Sequence, residues 1–255
     1  MTSAVQAPAP PPFVRLAAHP LRWRLLTTLA ESDYRVRELV AQVGEPQNLV
    51  SYHLRLLRDE GLITARRSGF DGRDTYYHLD LDSCADGLAE TGAALHPVLR
   101  TRASTGTGRE TARPPAAVLF VCTGNSVRSP MAEALLHHYA ADRVHVTSAG
   151  TRPQALLHPA AARVLRERFG IDVIGRRPRD VAHLADRQFD HVITLCDRAR
   201  ETSPEFPHQP RRAHWSIAEP ASSGDEAAVD ATFGRTAADI DVRVRHLLPL
   251  LTSAP

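Results

Sequence analysis

The stretch Ala116–Tyr139, AAVLFVCTGNSVRSPMAEALLHHY, sets a cysteine at the end of an apolar run and an arginine six residues later. AAVLFV has the unbroken apolar character of a strand covered on both faces. SPMAEALLHHYA places Pro130 where a first turn tolerates a missing N–H, so a helix is expected to begin just after Ser129. Between them CTGNSVRS reads as a strand-to-helix loop. Such a loop aims main-chain N–H groups and the positive end of the helix at one point, making an anion site before any side chain is counted. The same field favours a thiolate at Cys122, a nucleophile at neutral pH. Arg128 offers a planar fork to two oxygens of a tetrahedral oxyanion. Thr123, Gly124, Asn125, Ser126 and Val127 would line the cradle. Gly124 and Asn125 suit unusual backbone angles, and the Ser129 hydroxyl could donate to the thiolate. The Gly-Lys-Ser/Thr ending of a nucleotide P-loop is absent.

Downstream, RVHVTSAG, HPAAARVLRERFG, FDHVITLCD, RRAHWSI and the closing AAVDATFGRTAADIDVRVRHLLPLL alternate strand and helix character. That alternation predicts an α/β domain over residues 117–253 with a parallel sheet, its site at the carboxyl ends of the strands. Ser148, Cys196 and Glu219 follow such ends.

The chain of 255 residues is 43% hydrophobic, carries a formal net charge of +2 and has room for two modest cores. An Ala/Pro-rich tail at 1–12 is expected to be disordered, and the small, polar, proline-containing segment at 101–116 reads as a linker between the two cores. With three scattered cysteines there is no secreted disulfide framework. The N-terminus lacks signal-peptide blocks and no run is long enough to span a membrane, so the expectation is a cytoplasmic protein with free thiols. No histidine cluster has metal-ligand spacing, and no metal or bound cofactor is expected.

Over residues 13–100, FVRLAAHPLRWRLLTTLAES has leucines at helical spacing, and RVRELVAQVG is a short helix stopped by Gly44. In EPQNLVSYHLRLLRDEGLI, Val50, Leu54 and Leu57 share one face. A turn at Gly44–Pro46 before a polar-faced helix is a helix-turn-helix pattern, in which the second helix enters the major groove. Gln47, Asn48, Ser51, Tyr52, His53 and Arg55 are its DNA-contact candidates. LITARRSGFDGRDTYYHLDL then gives two β-prone runs around a Gly69/Gly72 turn, with Arg66, Arg67 and Arg73 on the hairpin. The region as a whole has 11 Arg against 12 acids, but Ser51–Arg73 has five against three. Positive charge therefore gathers where a phosphate backbone would lie. The fold expected is two domains: an N-terminal α+β winged helix-turn-helix and the C-terminal α/β domain.

VSYHLRLLRDEGLI with its Arg-rich hairpin resembles the ArsR family of winged-helix repressors, over about Phe13–Arg100. The resemblance implies a homodimer on a double-stranded DNA operator, with CADGLAETGAALHPVLR as the dimer helix. Arsenite-sensing members pair cysteines near the first helix of the motif; RVRELVAQV has none, and Cys84 alone cannot supply three thiolates.

VCTGNSVRSPMAE, SAGT, HPAA, GID, VITLC and PEFPHQPRRAHWSIAEPA resemble the low-molecular-weight tyrosine phosphatase fold and its arsenate reductase branch. The resemblance implies that Cys122 attacks arsenate, Arg128 and the loop amides hold the oxyanion, and Cys196 attacks the adduct, leaving a 122–196 disulfide. It aligns Glu219-Pro220 with the family's Asp-Pro general acid, with Asp225 a weaker candidate. Thioredoxin-coupled members have a third cysteine where this chain has Ser203, so recycling would need mycothiol, glutathione or a thioredoxin-like protein. Three activities stay open: reduction of arsenate, hydrolysis of phosphate esters through phospho-Cys122, and non-catalytic sensing of phosphate or arsenate by a DNA-binding dimer.

Overall fold

The computed structural model describes residues 9–96, 99 and 115–252. The tail expected at 1–12 lies largely outside the described residues, as does most of the linker expected at 101–116; Pro12 and Ala116 already open regular elements. The chain forms two compact units, each taken by itself below.

The N-terminal half runs α1 (Pro12–Ala17), α2 (Pro20–Glu31), β1 (Tyr34–Arg35), α3 (Val36–Val43), α4 (Gln47–Asp59), β2 (Ile63–Arg67), β3 (Thr75–Leu79) and α5 (Leu81–Leu95), with Arg67–Asp74 of the hairpin counted in the second unit. The leucine-spaced opening segment becomes two helices rather than one, because Pro20 lacks an N–H and begins a new helix. His19 caps that start, its Nδ1 accepting from the Leu21 N–H at 3.2 Å. Leu21, Leu25, Leu26 and Leu29 of α2 pack with Leu39 and Val43 of α3 and with Val50, Leu54 and Leu57 of α4. α3 stops at Gly44, whose φ of 67° lies in the left-handed region. The hairpin is present, with strand order β1-β3-β2. By contrast α5 buries none of its residues fully, leaving Leu88 and Leu95 59% and 75% exposed.

The C-terminal unit runs β4 (Ala116–Cys122), α6 (Arg128–Ala140), β5 (Val144–Gly150), α7 (Pro159–Phe169), β6 (His191–Thr194), α8 (Asp197–Thr202), β7 (Arg211–His214) and α9 (Glu226–Thr252). The four strands are parallel in the order β5-β4-β6-β7. The chain leaves β4 for one neighbour and returns to the other, so a topological switch point lies at the carboxyl end of β4, where Cys122 stands opposite Gly150. Val118 to Val121 are fully buried, each worth about 1.5–3 kcal/mol of burial. α6 is buried nearly all round, between the sheet and α9. It begins at Arg128, earlier than expected, because the Met131 N–H already bonds the Val127 carbonyl at 3.0 Å. Arg128 and Ser129 thereby become part of the first turn.

No helix among the described residues is long and apolar enough to cross a membrane. Among the same residues no group of three or more His, Cys, Asp or Glu side chains could hold a metal ion.

Candidate active site

The loop between Cys122 and Arg128 is tied from outside by the segment that follows β5. The Thr151, Arg152, Gln154 and His158 N–H groups donate to the carbonyls of Cys122, Thr123, Gly124 and Ser126 at 3.1, 2.9, 2.9 and 3.0 Å. In a trans peptide the N–H points opposite to its own carbonyl. With four carbonyls turned outward, the N–H groups of Thr123, Gly124, Asn125 and Val127 turn inward. The Asn125 N–H accordingly reaches Cys122 Sγ at 3.2 Å. This closure requires glycine at 150: a Cβ there would lie 2.6 Å from the Thr123 carbonyl oxygen and 3.0 Å from the Asn125 nitrogen. Asn125 itself takes a left-handed φ of 45°.

A directional hydrogen-bond chain holds Asn125 and ends on the cysteine. Glu133, a buried carboxylate that can only accept, takes the Ser148 hydroxyl proton at 2.6 Å. Ser148 Oγ must then accept, and Asn125 Nδ2 donates to it at 2.8 Å and to Ser129 Oγ at 2.9 Å. Asn125 Oδ1 accepts from the Arg179 N–H at 2.7 Å. Arg179 and Arg176 neutralise Glu133 at 2.9 and 3.3 Å. Ser129 Oγ stands 3.0 Å from Cys122 Sγ and 3.3 Å from the Ala149 carbonyl, so its single proton serves one or the other. Of this chain, the sequence marked Asn125 and Ser129, and Ser148 only as a strand-end residue. Glu133, Arg176 and Arg179 carry no such mark: Glu133 lies one turn beyond Ser129 on α6, and both arginines lie in the irregular segment after α7.

Cys122 is 2% exposed. Burial pushes its thiol up, with neighbouring Cys196 adding to the effect; the Arg128 guanidinium and the Ser129 hydroxyl pull it down. Burial thus opposes the thiolate expected from the loop, while the Arg128 guanidinium and the Ser129 hydroxyl favour it. Arg128 is also buried. Its Nη1 donates to the Ile217 carbonyl at 3.1 Å and its Nη2 to Glu219 Oε2 at 3.0 Å. Asp225 accepts from the Ala228 N–H at 2.7 Å and caps α9.

Cys196 follows β6 and is buried, its Sγ 3.3 Å from the hydroxyl of Thr123, the residue next to Cys122. All three cysteines are free thiols. Beside Cys196, the Asp197 carboxyl is penalised by burial but held well below the usual range by hydrogen bonds from His214 and Ser216, at 3.1 and 2.6 Å. Ser203 ends α8, and among the described residues its buried hydroxyl has no hydrogen-bond partner. Cys84 is half-buried, and burial with Asp80 nearby pushes its thiol up to about 11.

On α4, Gln47, Asn48, Ser51, Tyr52 and Arg55 are exposed. His53 is not: it shares the inward face with Val50, Leu54 and Leu57, is 5% exposed and stacks on His19 with ring centroids 4.4 Å apart. It is a packing residue in this structure rather than a base-reading one. Arg67 and Arg73 are exposed on the hairpin, whereas Arg66 is half-buried.

Residues 117–254 match the profile described as low molecular weight phosphotyrosine protein phosphatase, and residues 19–65 match that of the bacterial regulatory protein, arsR family. An arsenate reductase of Shouchella clausii is 35% identical over 130 residues, which are 50% of this chain and 91% of the relative. That of Bacillus subtilis is 34% identical over 130 residues, 51% of this chain and 92% of the relative. A solved arsenate reductase from Archaeoglobus fulgidus is 32% identical, covers 51% of this chain and 98% of its own, and superposes with a TM-score of 0.43. With more than half its length in the first profile and the cysteine loop at the head of that match, the chain belongs to the low molecular weight phosphotyrosine protein phosphatase family, carrying in front of that domain an arsR-type helix-turn-helix.

Proposed function

We propose that this chain is a cytoplasmic DNA-binding regulator fused to an arsenate reductase, with Cys122 as the nucleophile. The inward amides and Arg128 hold the arsenate oxygens. A dianionic arsenate can take the Cys122 proton as it binds, so the thiolate forms next to the arsenic it attacks. The thiolate attacks arsenic, and one oxygen leaves as water with a proton passed to it from solvent through Glu219. Cys196 then attacks Cys122 Sγ. A disulfide forms, the sulfur–arsenic bond breaks, and its electron pair stays on arsenic, which departs as arsenite. Two thiols lose two electrons in total and arsenic(V) gains them.

The observation that carries this reading is the second buried thiol, at the end of the strand beside β4 and 3.3 Å from the Thr123 hydroxyl. Hydrolysis of a phosphate ester would use Cys122, Arg128 and an acid, and leave Cys196 without a role. Ser203 provides no third thiol, so the disulfide is reduced from outside, by mycothiol, glutathione or a thioredoxin-like protein. The uncovered apolar side chains Leu88 and Leu95 on α5 support a homodimer, which would set two copies of α4 on a palindromic operator.

Peptide-resolved mass spectrometry of the reduced protein after anaerobic incubation with arsenate tests the reading. The expected result is an arsenate-dependent Cys122–Cys196 link, lost in Cys122→Ser and in arsenate-free controls. Absence of the link, with phosphate-ester turnover that survives Cys196→Ser, would replace the reductase with a phosphatase.

A further inference from the structure

Arg128 has two partners of different kinds. The Ile217 carbonyl at 3.1 Å is neutral and fixed by the main chain. The Glu219 carboxylate at 3.0 Å is charged and sits on a side chain 76% exposed, while the Arg128 side chain is 7% exposed. One end of the pair is anchored in the protein and the other hangs in water.

We propose that Glu219 is a built-in competitor of the oxyanion for Arg128, and so sets which anions the site accepts. Its carboxylate takes a guanidinium N–H needed for a two-point grip on a tetrahedral anion, and the arriving anion turns it out. The proposal rests on reading Cys122–Ser129 as an oxyanion cradle, and adds a role to the acid function proposed for Glu219.

The two anionic groups are unequally equipped. A tetrahedral dianion gains both guanidinium bonds together with the inward amides of Thr123, Gly124, Asn125 and Val127, all charge-assisted. Glu219 makes one such bond from a solvated position, where ion pairs contribute little. A dianion with several acceptor oxygens therefore displaces it, whereas a singly charged anion with fewer contacts gains much less from the exchange. Once displaced, the Glu219 carboxyl is free of the guanidinium while the anion is in the loop, which is when a proton donor is required.

Arg128 has further N–H groups, which gives the rival arrangement a definite form: Glu219 stays in place and braces the guanidinium for the anion. The two arrangements predict opposite changes in affinity. The experiment is calorimetric titration of sulfate, a dianion near neutrality that is neither reduced nor hydrolysed here, into the full-length protein, Glu219→Gln and Glu219→Ala at constant ionic strength. Competition predicts sulfate binding about two- to fivefold tighter in both variants. Glu219→Ala decides, because it removes charge and reach together; its exposed position leaves the fold intact, which thermal melting checks. Equal or weaker binding in Glu219→Ala overturns the proposal and makes the residue a brace, while the cradle reading stands. No sulfate binding to any of the three proteins overturns both.

Discussion

Ser129 has one proton and two places for it, the Cys122 sulfur and the Ala149 carbonyl. With Cys122 protonated, the thiol donates to Ser129 Oγ and the hydroxyl turns to Ala149. Once Cys122 ionises, the hydroxyl proton is worth more on the sulfur, since hydrogen bonds to charged groups are roughly twice as strong. Ser129 thus favours the thiolate and lowers the Cys122 pKa against the opposing effect of burial. In Ser129→Ala that help is lost and the thiol rises further. The midpoint of Cys122 alkylation by iodoacetamide against pH should move up. An unchanged midpoint would mean that the inward amides and Arg128 alone govern ionisation. Cys122, Arg128 and Ser129 were legible in the sequence because loop chemistry and local spacing place them together. Glu133, 15 residues from Ser148 along the chain, was not, since only the fold brings it to the far end of the same chain of donors.

At the scale of elements, the segment 151–158 does as much for the site as the cysteine loop itself. Its contribution is main-chain N–H groups, so TRPQALLH carries no periodicity or residue signature by which to read it. The short elements were hidden for a related reason: β1 has two residues and α8 six, too few for a pattern. Strand β4, α4 and α9 were legible because each buries a continuous or periodic apolar run, and the hairpin because two β-prone runs flank the Gly69/Gly72 turn. His53 has the polar character of an outward residue, but the position it occupies faces the core. Gly150 joins the two loops. Gly150→Ala forces the Thr123 carbonyl or the Asn125 backbone to move, neither of which is a flexible side-chain end. The expected cost is about 1–3 kcal/mol of stability, read by thermal or denaturant melting, with sulfate affinity falling at least tenfold as the inward amides lose their aim. Full affinity in a folded Gly150→Ala protein would show that the tie at Gly150 is dispensable.

At the scale of the whole molecule, two sites of different chemistry share one chain, and each has its own charge. The DNA-facing candidates are exposed polar and arginine side chains on α4 and the hairpin, while the oxyanion site is made of main-chain amides and a buried guanidinium. Substitutions should therefore separate the two. Arg67→Ala with Arg73→Ala should weaken operator binding and reduce the slope of log affinity against log salt by about one to two, measured by fluorescence anisotropy, with arsenate-dependent disulfide formation unchanged. Cys122→Ser should do the reverse. The four carbonyls bonded outward from the cysteine loop also bear on time and entropy. A loop already fixed in the free protein has little conformational freedom to surrender when an anion arrives. The Thr151, Arg152, Gln154 and His158 amides should then exchange with deuterium slowly in the unliganded protein, and saturating sulfate should add little further protection, as a mould changes little on being filled.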